Sequence, residues 1–160
     1  METQTATAFI EESKNRVAIA RRMINNALDQ LQDDDMWWTP VEGCNCVGIV
    51  IQHLLGSLHR GIISSLGGEE DITDRPSEFR IKEKTPKSDL QKRLNDMLDR
   101  VVQTYSRIEL PTLLDEKAIQ DRSRTLLSAI YRSAVHLGLH TGQICYIAHM
   151  KLGDAYAQTC

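Results

Sequence analysis

Leu126-Leu-Ser-Ala-Ile130-Tyr-Arg-Ser-Ala-Val135-His-Leu-Gly-Leu-His140-Thr-Gly-Gln-Ile144-Cys-Tyr-Ile147 carries apolar residues around most of a helical circumference and nowhere alternates in the manner of a strand. The pattern predicts a helix from about Ser123 to Leu152, ended by Gly153. Within it His136 and His140 are four residues apart, which places them about 40° around the axis and ~6 Å along it. Ala129, Ser133, Ile144 and Ile147 share that face, so it points inward. Neighbouring imidazoles in an apolar core each have a donor and an acceptor to satisfy. One metal ion satisfies a nitrogen on both, as in other helical metal sites. The competing reading is a pair of core histidines bonded to hydroxyls or backbone. His149 lies roughly 180° away from His140 and reads as a last-turn residue facing the helix dipole or solvent.

A second helix, apolar almost all round, is predicted after an N-cap at Asn45 and runs to about Leu66, with Gly67-Gly68 as its left-handed stop. Such a helix is central or lies at a subunit interface. His53 sits on it among Ile49, Val50, Gly56 and Ser57, and the last two leave room beside the ring. His59 is about 240° further round and cannot share that face. His53 is therefore the candidate third ligand, and His59 reads as an ordinary helix residue.

Two more helices complete the set. The first is predicted from Thr5 to Gln32, with Phe9, Val17, Ala20, Ile24, Ala27 and Leu31 at helical spacings. Asp33, Asp34 and Asp35 oppose its dipole and stop it. Trp37, Trp38 and Pro40 begin a loop across the bundle end, with one indole packed inside. The third helix opens at Thr85-Pro86, a cap followed by proline, and continues to about Arg107. Residues 69–84 form a long charged connection that permits a crossover, so that the second and third helices can run parallel. Residues 110–122 connect to the last helix. The expected fold class is all-α: a four-helix bundle, one domain over residues 1–160.

The 160 residues are 41% apolar and 26% charged, ordinary for a folded domain, with a formal charge of −3. No Lys/Arg stripe of the kind that neutralises phosphates runs along a helix, so no nucleic-acid partner is expected. The polar start lacks a secretion signal, and no window approaches the ~20 apolar residues of a membrane span. The expectation is a cytoplasmic protein with no membrane partner. Cys44 and Cys46 are too close for a zinc knuckle and read as free thiols, Cys145 as a small core residue, and Cys160 as part of a frayed end.

These residues resemble a known family. Trp38-Thr-Pro, Asn45 and Ile51-Gln-His53-Leu look like the start of the DinB/YfiT-like superfamily, whose members carry a histidine early in the second helix. His136-Leu-Gly-Leu-His140-Thr-Gly-Gln-Ile144 looks like their closing helix, and Asp74-Arg-Pro-Ser-Glu-Phe79 resembles a connection in a little-characterised branch. The resemblance runs from Trp37 to Met150. It implies an up-down-down-up bundle with a long crossover between helices 2 and 3. It also implies a histidine triad, His53, His136 and His140, binding zinc or nickel with water in the remaining positions, and often a homodimer. Characterised members are metal-dependent transferases or isomerases using low-molecular-weight thiols such as bacillithiol or mycothiol.

The leading expectation is a metal-dependent thiol S-transferase or hydrolase, whose partners are a small-molecule thiol and an electrophile. Three histidine ligands leave coordination positions open, and the metal would make a thiol or water acidic enough to attack at neutral pH. Gln143, near the His140 face, is a candidate to orient a ligand or a water; the alternative is a polar residue at the rim. Arg60, two turns beyond His53, can meet a substrate carboxylate or, on the preferred reading, reaches solvent. Arg75 and Glu78 shape a pocket mouth or pair with each other. The rival class is a non-catalytic metal-binding bundle or dimeric scaffold; a third reading is a metal-free relic.

Overall fold

The computed structural model describes residues 3–80, 84–119 and 122–157. Helix α1 spans Thr3–Gln30 and buries Ala6, Ile10, Val17, Ala20, Ile24, Ala27 and Leu28, the stripe expected of a helix with one face on a core. Where it ends, the aspartates do more than break it. Asp33 Oδ1 accepts a hydrogen bond from the Lys87 backbone N–H at 2.9 Å, while Lys87 Nζ donates to the carbonyls of Leu28 and Leu31 at 3.1 and 2.7 Å. One residue pair thus satisfies orphan groups at the end of one helix and the start of another. A 3₁₀ turn, Asp34–Trp37, then carries Trp37 into the core. Its ring lies so close to Gly48 that a Cβ there would sit 2.8 Å from two ring carbons.

Helix α2 spans Val47–Leu58 and buries Val47, Ile49, Val50, Ile51, Leu54, Leu55 and Leu58. Cys46, not Asn45, occupies its cap position, and no side chain caps it. Beyond Leu58 the chain widens into a π-helical turn, His59–Ser64, where continuous α-helix to Leu66 was expected. Gly68 stops it with φ +80°. His59 is buried rather than ordinary, with Nε2 3.0 Å from the Glu70 carbonyl. The crossover contains one short helix, α3, Arg75–Glu78. Helix α4 spans Lys87–Ser106, with Pro86 itself at the cap.

The connection before the last helix differs from expectation. An antiparallel hairpin forms there, β1 Glu116–Ile119 and β2 Arg122–Thr125, pairing Glu116 with Thr125 and Ile119 with Arg122. The all-α reading holds broadly: the chain is mainly helical, with this one small two-stranded sheet as an addition. The strands are four residues long, with Ile119 buried, Arg124 and Thr125 half-buried and the rest exposed, so they lack the alternation that marks a half-buried strand. Helix α5 accordingly starts at Leu126, where Thr125 Oγ1 accepts from the Ser128 N–H at 3.1 Å, and ends at Leu152.

Helices α1 and α2 each pack against both α4 and α5. Ile24, Leu31, Leu54, Leu58, Leu94, Leu98, Ile130 and Ile144 are among the residues fully enclosed between them. Among the described residues no helix is long and apolar enough to cross a membrane. Cys44 is exposed, Cys46 buried and Cys145 half-buried, all three as thiols. Cys160 lies outside the described residues.

Candidate metal centre

The packing of α2 on α5 brings three imidazoles to one point. His53 Nε2 lies 3.1 Å from His136 Nε2, which lies 3.0 Å from His140 Nε2. The three nitrogens all fall within 4.8 Å of one another. Donor atoms around one ion at metal–nitrogen distances of about 2.0–2.1 Å sit roughly 3 Å apart, which the His53–His136 and His136–His140 separations match.

The opposite nitrogen of each ring is occupied. His53 Nδ1 donates to Glu78 Oε2 at 2.8 Å, and His140 Nδ1 donates to Gln143 Oε1 at 2.6 Å. His136 Nδ1 lies 3.3 Å from Ser57 Oγ. A carboxylate and an amide carbonyl can only accept, so the ring protons of His53 and His140 sit on Nδ1 and leave both Nε2 atoms bare. His136, neutral, has one proton and cannot serve both. A cation at the meeting point uses all three lone pairs. Three histidines are thus close enough, and suitably oriented, to hold a metal ion. This is the outer arrangement that metal-ligating histidines adopt.

The protonation balance agrees. Burial pushes the His136 pKa down to about 4, and its electrostatic coupling to His140, His53, Arg60 and Arg75 acts in the same direction. Burial also lowers His140, with its hydrogen bond to Gln143 opposing the shift. Both rings are therefore kept in the neutral form that a metal requires.

Glu78 has a role beyond the two that the sequence suggested for it. It does not pair with Arg75; it lines a cavity with Gln52, Gly56 and Thr73 and reaches His53. It is only 7% exposed, with Oε2 on His53 and Oε1 accepting from Arg60 Nη1 at 2.8 Å. A buried carboxylate needs such partners. That need also corrects the reading of Arg60 as solvent-reaching: its side chain is 17% exposed and its Nη1 donates to Glu78 and, at 2.7 Å, to Thr73 Oγ1. Gly56 makes the approach possible, since a Cβ there would stand 2.1 Å from Glu78 Oε1. The room that Gly56 leaves beside His53 was legible; its occupant, on a polar connection without periodicity, was not. Phe79 covers the other side of the His53 ring, with centroids 4.8 Å apart. His149 stays apart from the cluster, stacked on Tyr156 at 5.3 Å.

A cavity of about 340 Å³ opens beside His53 and His136 and reaches Ser57, Ser133 and the hairpin. Ser133 also hydrogen-bonds Tyr105, whose hydroxyl pKa burial raises to about 12. A bundle core with three convergent imidazoles and an adjoining cavity defines a mainly helical protein with a candidate metal-binding site.

The chain belongs to the family described as a protein of unknown function (DUF1572), whose model matches residues 4–159. Among curated proteins none matches it.

Proposed function

We propose that this chain is a divalent-metal-binding, DinB-like protein of the cytoplasm, acting as a metal-dependent thiol S-transferase or hydrolase on small molecules. One observation carries the reading: three Nε2 atoms face one another while their Nδ1 atoms are engaged by Glu78, Gln143 and Ser57. His53, His136 and His140 would hold the ion, with zinc and nickel the metals that we favour; histidine ligation suits both. The ion would supply Lewis acidity, lowering the pKa of a bound thiol or water. The chain's own residues do the rest. Glu78 fixes the tautomer and orientation of His53, Gln143 does so for His140, Phe79 shields the first ring from water, and the neighbouring cavity receives the substrate.

We further infer an up-down-down-up bundle, in keeping with the long connection at residues 65–86 and the packing of both α1 and α2 on α4 and α5. A second copy of the chain is the proposed partner. Tyr131, Val135, Leu139, Tyr146 and Met150 form an exposed apolar stripe along α5, and no charged residue lies between Ser133 and Met150. A neutral apolar stripe suits a like surface better than a charged one. Leu139→Arg should then convert a dimer into a monomer in sedimentation.

Elemental analysis of untagged protein tests the centre: about one metal per chain in the wild type, lost in His136→Ala. Turnover of a small thiol with a chloronitrobenzene electrophile tests catalysis. A rate that His140→Ala leaves unchanged would exclude metal-assisted transfer and favour the second reading, a non-catalytic metal-binding scaffold. That reading is supported by the same convergence of nitrogens.

A further inference from the structure

The cavity beside the histidines has a charge of its own. Arg60, Arg75, Arg124 and Arg132 all line it, and among the described residues no aspartate or glutamate does. The chain as a whole is net negative at −3, so this concentration of positive charge is local. Arg60 is matched by Glu78. Among the described residues, Arg75, Arg124 and Arg132 make no ion pair.

Those three come from separate elements: the start of α3, strand β2 and the second turn of α5. The crossover helix on one side, and the consecutive strand β2 and helix α5 on the other, therefore bring three arginines to one space. Like charges around a shared cavity repel, and the arrangement is stabilising only with an anion between them. A planar guanidinium fork matches carboxylate and phosphate oxygens two at a time. Ser57 and Ser133 add hydroxyls at the same wall. The volume, about 340 Å³, suits a small molecule. The hairpin, which nothing in the metal centre requires, acquires a purpose as the carrier of Arg124.

We propose that the site takes a small substrate bearing a carboxylate or phosphate group, with Arg75, Arg124 and Arg132 holding that anion while the rest of the molecule reaches the three histidines. As a statement about substrate, this rests on the cluster being the reactive centre; as a statement about anion binding, it stands on the arginines alone.

Calorimetric titration of the full chain, metal-loaded as purified, tests it with inorganic phosphate and separately with succinate, the metal content of every sample being measured. At least one anion should bind, and the tighter of the two identifies the group. The Arg124→Gln/Arg132→Gln double variant should weaken binding by about tenfold or more without loss of metal. Arg75→Gln should weaken it independently, which covers the case of a double variant that fails to fold. Binding by neither anion at millimolar concentration overturns the proposal. So does binding that survives the arginine variants but vanishes in His136→Ala, which would put the anion on the metal and leave the metal centre standing. Arginine-dependent binding to protein that holds no metal would support the anion site and sink the metal centre instead.

Discussion

Gly56→Ala adds one methyl group to a helix and should nonetheless damage a site to which glycine contributes no functional group. The added Cβ would lie 2.1 Å from Glu78 Oε1, 2.6 Å from its Cδ and 3.1 Å from its Cγ. The whole carboxyl group must leave, since α2 is fixed by its buried residues on the other side. Two hydrogen bonds go with it, from His53 Nδ1 and from Arg60 Nη1, both 2.8 Å long. Bonds to a charged group are worth about 1.5–3 kcal/mol each, so roughly 3–6 kcal/mol is at stake. Water recovers much of this for a displaced carboxylate, and alanine's helix propensity returns about 1 kcal/mol. The net expectation is a loss of about 1–3 kcal/mol, a fall in Tm of roughly 2–12 °C for a chain of this size. Freed of its partner, His53 loses its fixed tautomer, and metal affinity should fall about 10–100-fold in competition with a chelator. The sign makes the test sharp. If Glu78 did not occupy that place, Gly→Ala within a helix would raise Tm, and unchanged metal affinity with a raised Tm would refute the reasoning.

Gln143→Ala should weaken metal binding by roughly tenfold in the same competition, through loss of the 2.6 Å bond to His140 Nδ1, with little change in Tm. Asp33→Ala removes the acceptor for the Lys87 N–H and should cost about 1 kcal/mol, read as a lower urea midpoint, with metal affinity intact. Tyr105 is held neutral to about pH 12 when folded but ionises near pH 10 when unfolded. Between those values the unfolded chain binds fewer protons, so stability should fall as pH rises from about 10 to 12. Tyr105→Phe should flatten that part of the profile.

Much of the molecule could be read without coordinates because its signals are local. The stripe on α1 and the encircling apolar positions of α2 are periodic, and periodicity survives in a bare sequence. The four-residue spacing of His136 and His140 fixes their relative position before any tertiary contact exists. His53 needed a second argument, the small residues beside it and the family resemblance, because helix pairing is not local. What escaped the reading was tertiary in origin. The strands 116–119 and 122–125 are short and mostly exposed, and their few inward residues, Ile119 chief among them, do not imprint a pattern. The π-helical turn at His59–Ser64 adds a residue per turn without any proline or glycine pair to announce it. Glu78 sits in a charged connection among other acids, and only the approach to Gly56 sets it apart.

His53 and His136 meet although they are 83 positions apart in the chain. An isolated α5 peptide carries two of the three clustered imidazoles, His136 and His140, and should be a far poorer chelator than the whole chain. An ion gripping all three rings acts as a removable cross-link over a long loop, and the unfolded polypeptide must give up that closure's entropy before it can compete. Availability of the ion would then govern how long each molecule survives heat, proteolysis and dilution, and the apo chain would be the form cleared first.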